Sequence, residues 1–170
     1  MHTNKAKPIG KGMIYIAAIG ILVLLTLFFD TQLDKQNNPN RDISSITHQD
    51  HIEIRLQRNR AGHYVATGSI NGQTVDFLVD TGASDVAIPG QLAQQLDLPN
   101  LGPATFQTAN GLSQGYYTRL DSLTIGKIIL TDVRASVAPN LDGEILLGMS
   151  ALGQLDWRQE DRQLIVQQTL

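Results

Sequence analysis

The residue best placed to do chemistry is an aspartate at the end of an apolar run. Phe77-Leu78-Val79 leads into Asp80-Thr81-Gly82-Ala83-Ser84. A strand that ends on an aspartate among apolar neighbours keeps water scarce, so the proton affinity of the carboxylate answers to whatever lies beside it. Gly82 lets the backbone turn and bring an N–H toward the carboxylate. Thr81 can hydrogen-bond to a partner backbone and lock the loop. Asp, Thr and Gly are also common turn formers, so the triplet alone reads equally as a strand-ending turn. Its surroundings separate the two readings: apolar residues before it, Ala83-Ser84 after it, and a new apolar strand at Val86-Ala87-Ile88.

Other chemistries find little to work with. There is no cysteine, which removes disulfides, thiolate nucleophiles and cysteine-based zinc sites. The histidines are His2, His48, His51 and His63, and none sits in an H-E-x-x-H or comparable array. His48 and His51 read as solvated linker residues and His63 as a strand-surface residue. No metal, no cofactor and no serine nucleophile are expected. Charged residues make up 17% of the chain and the formal net charge is −3, so no basic surface for nucleic acid is expected.

The elements around Asp80 read as short strands. Ile52 to Leu56 alternates with period two, and a polar turn from Arg58 ends in Gly62. His63 to Ile70 and Thr74 to Val79 flank Asn71-Gly72, a two-residue hairpin signal. Val86 to Ile88 is a strand closed by Pro89-Gly90, and Gln91 to Leu98 a short helix. Thr105 to Thr108 and Tyr116 to Leu120 flank Asn110-Gly111. Leu123 to Ile125 and Ile128 to Leu130 flank Gly126-Lys127, and Val133 to Ala138 continues the sheet. Glu144 to Leu147 is a buried strand leading through Gly148 to a helical turn at Met149 to Leu152. Leu155 to Trp157 and Gln163 to Val166 form a last hairpin. Many short strands with one or two short helices predict an all-β barrel or sandwich.

Three features together resemble the retropepsins, the single-domain aspartic proteases related to retroviral proteases. One is Leu78-Val79-Asp80-Thr81-Gly82-Ala83-Ser84. Another is Leu146-Leu147-Gly148 followed by a short helix through Leu152. The third is a glycine-containing hairpin between them, at Asn110-Gly111. They stand in the family's order and cover roughly 52–166. The resemblance implies a closed, barrel-like acid protease fold. It implies an aspartic endopeptidase with Asp80 catalytic and Thr81, Gly82 and Ala83 supporting its loop. It also implies a flap at Asn110 and Gly111 that closes over a peptide or protein substrate. The sequence is most similar to the bacterial membrane-anchored branch. The stretch up to Tyr117 departs from the glycine-rich retroviral flap, and Tyr116 and Tyr117 read as either cleft-lining, core or strand-surface aromatics.

Aspartic protease chemistry uses two carboxylates that share one proton, because charges about 3 Å apart cannot both ionise. No second apolar-apolar-Asp-[Ser/Thr]-Gly occurs after Asp80. An active enzyme must then be a homodimer, with Asp80 facing its twofold mate. The terminal segment Leu164 to Gln168 is a candidate for strand pairing between subunits.

The N-terminus adds an anchor. Met13 to Phe29 carries no charge, which matches the short end of the roughly 17–25 residues of a bilayer span. Lys5, Lys7 and Lys11 precede it, so the N-terminal side is expected in the cytoplasm and the domain outside, periplasmic in a Gram-negative cell. No A-x-A-like cleavage pattern follows, which favours an anchor over a signal peptide. The expected organisation is a cytoplasmic N-terminus at 1–12, a transmembrane helix at 13–29, a linker at 30–50 and the protease domain at 51–170. An inactive peptide-binding or dimerisation module of the same fold is the competing reading.

Overall fold

A computed structural model describes residues 10–108, 111–141 and 143–170, in two compact units: Met1–Gln36 and Asn37–Leu170. In chain order the elements are α1 (Lys11–Asn37), β1 (Ser45–Thr47), β2 (His51–Gln57), β3 (Val65–Ile70), β4 (Gln73–Val79), β5 (Val86–Pro89), α2 (Gly90–Gln95), β6 (Pro103–Thr108), β7 (Gly111–Ile125), β8 (Ile128–Ala138), β9 (Ile145–Leu147), α3 (Met149–Leu152), β10 (Asp156–Glu160) and β11 (Gln163–Thr169).

Helix α1 is apolar on every side, with Met13, Leu22, Leu25 and Phe28 all exposed. Its apolar run has no polar face to turn to water. From Gly12 to Asn37 it is long and apolar enough to cross a membrane, and the same properties fit a signal sequence.

The second unit is built on a strand circuit that closes. β4 pairs antiparallel with β3 and parallel with β9. β9 meets β5 at Ala87↔Leu146, β5 runs parallel to β8, and β8 pairs antiparallel with β7. β7 returns to β3 through Ser69↔Thr124 and Ile70↔Leu123, which completes the barrel. β6 extends β7 outward as a hairpin. Alternate residues point inward: Val75 and Phe77, Ile145 and Leu147, Val86 and Ile88, Leu120, Val133 and Val137 are all buried. Each such side chain contributes roughly 1.5–3 kcal/mol through burial, which makes this packing the main stabilising force. Asn71 and Gly72, with φ of 49° and 82°, form the turn that the Asn-Gly signal predicts.

A second, four-stranded sheet runs in the order β1-β2-β11-β10. It corrects the expectation for the terminal segment. β11 is an interior strand, paired along its length with β2 on one side and β10 on the other within one chain. From Gln163 to Gln167 both of its hydrogen-bonding edges are therefore filled, and that stretch is not available to a second subunit.

Other boundaries differ as well. Residues 116–125 form one strand with 111–115, and 128–138 form another, rather than two pieces each. The ladder passes from Leu120↔Val133 to Ser122↔Thr131, with Asp132 in the left-handed region at φ 57°. α2 stops at Gln95, and Leu96 and Leu98 beyond it remain buried. His63 lies exposed in the loop before β3. Residues 30–50, read from sequence as a linker, take another form. α1 continues to Asn37, and the residues after it are fastened to the barrel. Asn40 is 4% exposed; its side chain donates to Val65 O and Gln57 O at 2.6 and 3.0 Å and accepts from Gln57 N at 2.6 Å. The Asn38 amide donates to Thr67 Oγ1 and Asp76 Oδ1 at 2.8 and 3.0 Å.

Candidate active site

Asp80 follows the last residue of β4, half-buried, at the point where the chain leaves the sheet. Its backbone N–H donates to Leu147 O of the adjacent β9 at 3.2 Å. Its carboxylate accepts the Gly82 N–H at 2.9 Å, and its carbonyl accepts the Ala83 N–H at 3.3 Å. The carboxylate is thus oriented by its own loop. Ala83 is half-buried, whereas Thr81 is exposed and makes no side-chain hydrogen bond among the described residues.

The segment Leu147-Gly148-Met149-Ser150 holds this loop from behind. Met149 N–H donates to Ala83 O at 2.8 Å and Ser150 N–H to Ser84 O at 2.9 Å. The contact is possible because residue 148 has no side chain. A Cβ there would lie 2.1 Å from Asp85 O and 2.7 Å from Ala83 O, both backbone atoms. The Ser150 hydroxyl accepts the Val86 N–H at 2.9 Å and donates to Arg134 O at 2.7 Å. Arg134 Nε in turn pairs with Asp85 Oδ1 at 2.6 Å. Two of the retropepsin-like features, far apart in sequence, therefore meet as one hydrogen-bonded unit. The supporting residues Asp85, Arg134 and Ser150 carry no local sequence signal, because the register of β5 on β8 brings them together.

In front of the loop lies an apolar row. Leu78, Leu146 and Ala87 are neighbours across β4, β9 and β5. Each is half-exposed on the face opposite the core, while Phe77, Leu147 and Ile88 point inward. The rung continues through Ser136 to Tyr117, which is 42% exposed. Tyr116 instead packs on the core. Asn110 lies outside the described residues. Gly111 pairs with Thr108 at the end of the β6–β7 hairpin, with φ 106°, and Leu112 beside it is 75% exposed.

Among the described residues no cluster of His, Asp and Glu could hold a metal ion. The His48 and His51 rings stack 4.4 Å apart, and His51 Nδ1 lies 2.7 Å from the exposed Asp50. Gly111-Leu112-Ser113-Gln114-Gly115 has the spelling of a serine nucleophile elbow, but it lies within one continuous strand. The elbow requires a sharp strand-to-helix turn, so this match is accidental. A cavity of about 240 Å³ lies between α2 and the 139–143 loop, against Pro89 and Leu92 and away from the Asp80 loop.

Comparison with known proteins supplies the lineage. The family described as gag-polyprotein putative aspartyl protease matches residues 66–154, just over half of the chain. An uncharacterized protein from the cobV 5′ region of Sinorhizobium sp is 38% identical over 112 residues, 63% of this chain and 48% of that protein. An uncharacterized protein of Rickettsia prowazekii is 36% identical over 118 residues, 67% of this chain and 50% of that protein. The chain thus spans about half the length of these curated relatives. The crystal structure of a retropepsin-like aspartic protease from Rickettsia conorii superposes with a TM-score of 0.57 at 29% identity, covering 75% of this chain and 96% of that one.

Proposed function

Because the chain belongs to the gag-polyprotein putative aspartyl protease family and has a retropepsin-like fold, we propose that it is a membrane-anchored aspartic endopeptidase whose active form is a homodimer. The observation that carries this reading is the position of Asp80. Its carboxylate is tethered to the Gly82 N–H beside the apolar row of Leu78, Leu146 and Ala87, not buried in the core. A peptide side chain laid on that row would bring its carbonyl to the carboxylate.

Two Asp80 carboxylates, one from each subunit, share one proton. The ionised one takes a proton from water, and the resulting hydroxide equivalent attacks the scissile carbonyl carbon. The protonated one donates to the carbonyl oxygen. Collapse of the tetrahedral intermediate breaks the C–N bond as the leaving nitrogen receives a proton from the dyad. Gly82 and Ala83 hold the loop, and Thr81, exposed and without a side-chain hydrogen bond among the described residues, is available to the partner's loop. The flap read from sequence at Asn110 and Gly111 closes over the peptide and excludes water. α1 is the anchor, with the N-terminus in the cytoplasm and the protease domain outside it, in the periplasm of a Gram-negative cell.

The test compares the full-length chain with Asp80→Asn on a peptide library in detergent. Hydrolysis at mildly acidic pH, blocked by a statine-type transition-state mimic, should fall at least about a thousandfold in the variant. Thermal unfolding of the two proteins should be alike. Robust hydrolysis by Asp80→Asn would overturn the assignment. Peptide binding without hydrolysis in the wild type would favour the inactive binding module.

A further inference from the structure

The proposed site is incomplete without a second copy, yet the chain's terminal strand is already enclosed between two others. The four-stranded sheet ends on one side at β1, three residues long, and on the other at β10, whose five residues Asp156-Trp157-Arg158-Gln159-Glu160 are all exposed. Unpaired backbone groups along such an edge are a template for another strand. We propose that the homodimer forms by antiparallel pairing of β10 with β10 of a second copy, on a twofold axis passing between two Trp157 residues. This rests on the peptidase reading above and says where its two subunits join.

The register follows from backbone geometry and charge. In an antiparallel ladder, hydrogen-bonded and non-hydrogen-bonded pairs alternate. The turn at Asp161-Arg162, with φ of 44° and 65°, is a two-residue hairpin turn that closes on Glu160↔Gln163 as a hydrogen-bonded pair. Counting back, Asp156 and Arg158 also direct their N–H and C=O groups toward β11. Trp157 and Gln159 therefore direct theirs to the open edge. A twofold pairing must match outward residues with outward residues, so its axis can pass through position 157, 158 or 159. An axis at 158 sets Arg158 against Arg158 and Asp156 against the partner's Glu160, which is like against like. An axis at 159 pushes the ladder into the left-handed turn. An axis at 157 sets Asp156 opposite the partner's Arg158 twice, with the two Trp157 residues as the central pair.

The free chain is in keeping with this arrangement. The Asp156 side chain has no hydrogen-bond or ion-pair partner among the described residues. Arg158 lies 3.6 Å from Glu160, with both side chains exposed, and its charge also acts on the Glu53 carboxyl. Trp157, the one tryptophan of the chain, is 41% exposed at the centre of the edge. The strand is also joined to the candidate site. It follows α3 after Gly153-Gln154-Leu155, and the first amides of α3 hold the carbonyls of Ala83 and Ser84. A twofold contact on β10 is thus transmitted to both aspartate loops through one short helix.

The chain has no cysteine, so Trp157→Cys in the full-length protein introduces a single thiol. The Cα atoms of a hydrogen-bonded antiparallel pair lie about 5.5 Å apart, within disulfide reach. Mild oxidation in detergent should cross-link Trp157→Cys into a dimer and leave the exposed control Thr131→Cys monomeric. Asp156→Arg or Arg158→Asp alone should weaken dimerisation about tenfold by sedimentation, and the double exchange should restore it. Absence of the cross-link, with sedimentation unchanged in both single variants, would overturn the β10 interface. If the wild type still hydrolyses peptides in that case, the peptidase reading stands without it. A β10-linked dimer that hydrolyses nothing would support the interface and overturn the peptidase.

Discussion

At the scale of single residues, the Asp80 loop depends on two positions behind it. Gly148 sits where a Cβ would meet the backbone oxygens of Asp85 and Ala83 at 2.1 and 2.7 Å. Neither atom is the end of a flexible side chain, so Gly148→Ala must displace either the loop or β9. Its expected cost is about 3 kcal/mol of stability, read as a fall in the denaturation midpoint, with loss of peptide hydrolysis. Ser150 acts more selectively. Its hydroxyl joins Val86 N to Arg134 O, between β5 and β8. Ser150→Ala leaves both groups without that partner, at an expected cost of about 1–3 kcal/mol. If Ser150 positions the loop, kcat should fall more than KM rises, and Ser150→Thr, which keeps the hydroxyl, should recover part of it. Equal effects of the two substitutions on kcat would make its role purely one of stability.

At the scale of elements, the terminal sheet carries a pH dependence. Glu53 of β2 is 5% exposed and accepts hydrogen bonds from Gln167 of β11 at 2.7 Å and from Arg55 at 2.8 Å. The Gln167 amide, helped by Arg55, holds its carboxyl below the usual 4.5 against the opposing effect of burial. A carboxylate whose folded value is depressed stabilises the fold above its unfolded value and loses that contribution as pH falls through the folded one. The sheet should therefore keep the Glu53 contribution at the mildly acidic pH proposed for the enzyme and lose it only below 4.5. Glu53→Gln should flatten the dependence of Tm on pH below that value, and an unchanged slope would exclude Glu53 as its source. The Asn40 strap makes a second element-scale prediction. Its side chain bonds the backbone of Gln57 and Val65. Asn40→Ala should lower stability by about 2 kcal/mol, measured by denaturant unfolding.

The same elements divide what the sequence discloses from what it does not. The Asn71-Gly72 turn, the alternating strands and the Asp80 loop are local patterns, and the structure carries them where those patterns lie. The length of β7 and β8 is not local. Asp121 and Asp132 interrupt the apolar alternation, and only pairing across the ladder, with Arg119 bound to Asp132 at 2.6 Å, continues the strands through them. The stretch from Asn38 to Thr47 is polar and lacks a period, so it reads as linker although Asn40 satisfies backbone groups, and Asn38 side chains, of distant strands. The double pairing of β11 depends on its register with β2, more than a hundred residues earlier, which no window of sequence reports. The Ser150–Arg134–Asp85 support is hidden for the same reason.

At the scale of the whole molecule, the proposed sharing of one active site would make activity a property of pairs. If each chain supplies one Asp80 and both are required, chains carrying Asp80→Asn should poison the wild type. In a randomly assorted mixture the fraction of dimers with two intact aspartates is the square of the wild-type fraction. An equal mixture should retain about a quarter of the activity, whereas independent single-chain sites would retain about half. The mixture must be formed by co-expression, so that subunits assort before membrane insertion fixes their partners. The proposed anchoring through α1 adds a second expectation. Two chains confined to one membrane meet at a high effective concentration, while chains released from it must meet in three dimensions. Specific activity of protein reconstituted in vesicles should therefore stay constant when the vesicles are diluted. In a chain starting at Asn37 it should fall with dilution as the dimer dissociates. A linear dependence on the wild-type fraction, with activity insensitive to dilution in both forms, would rule out a catalytic centre shared between subunits.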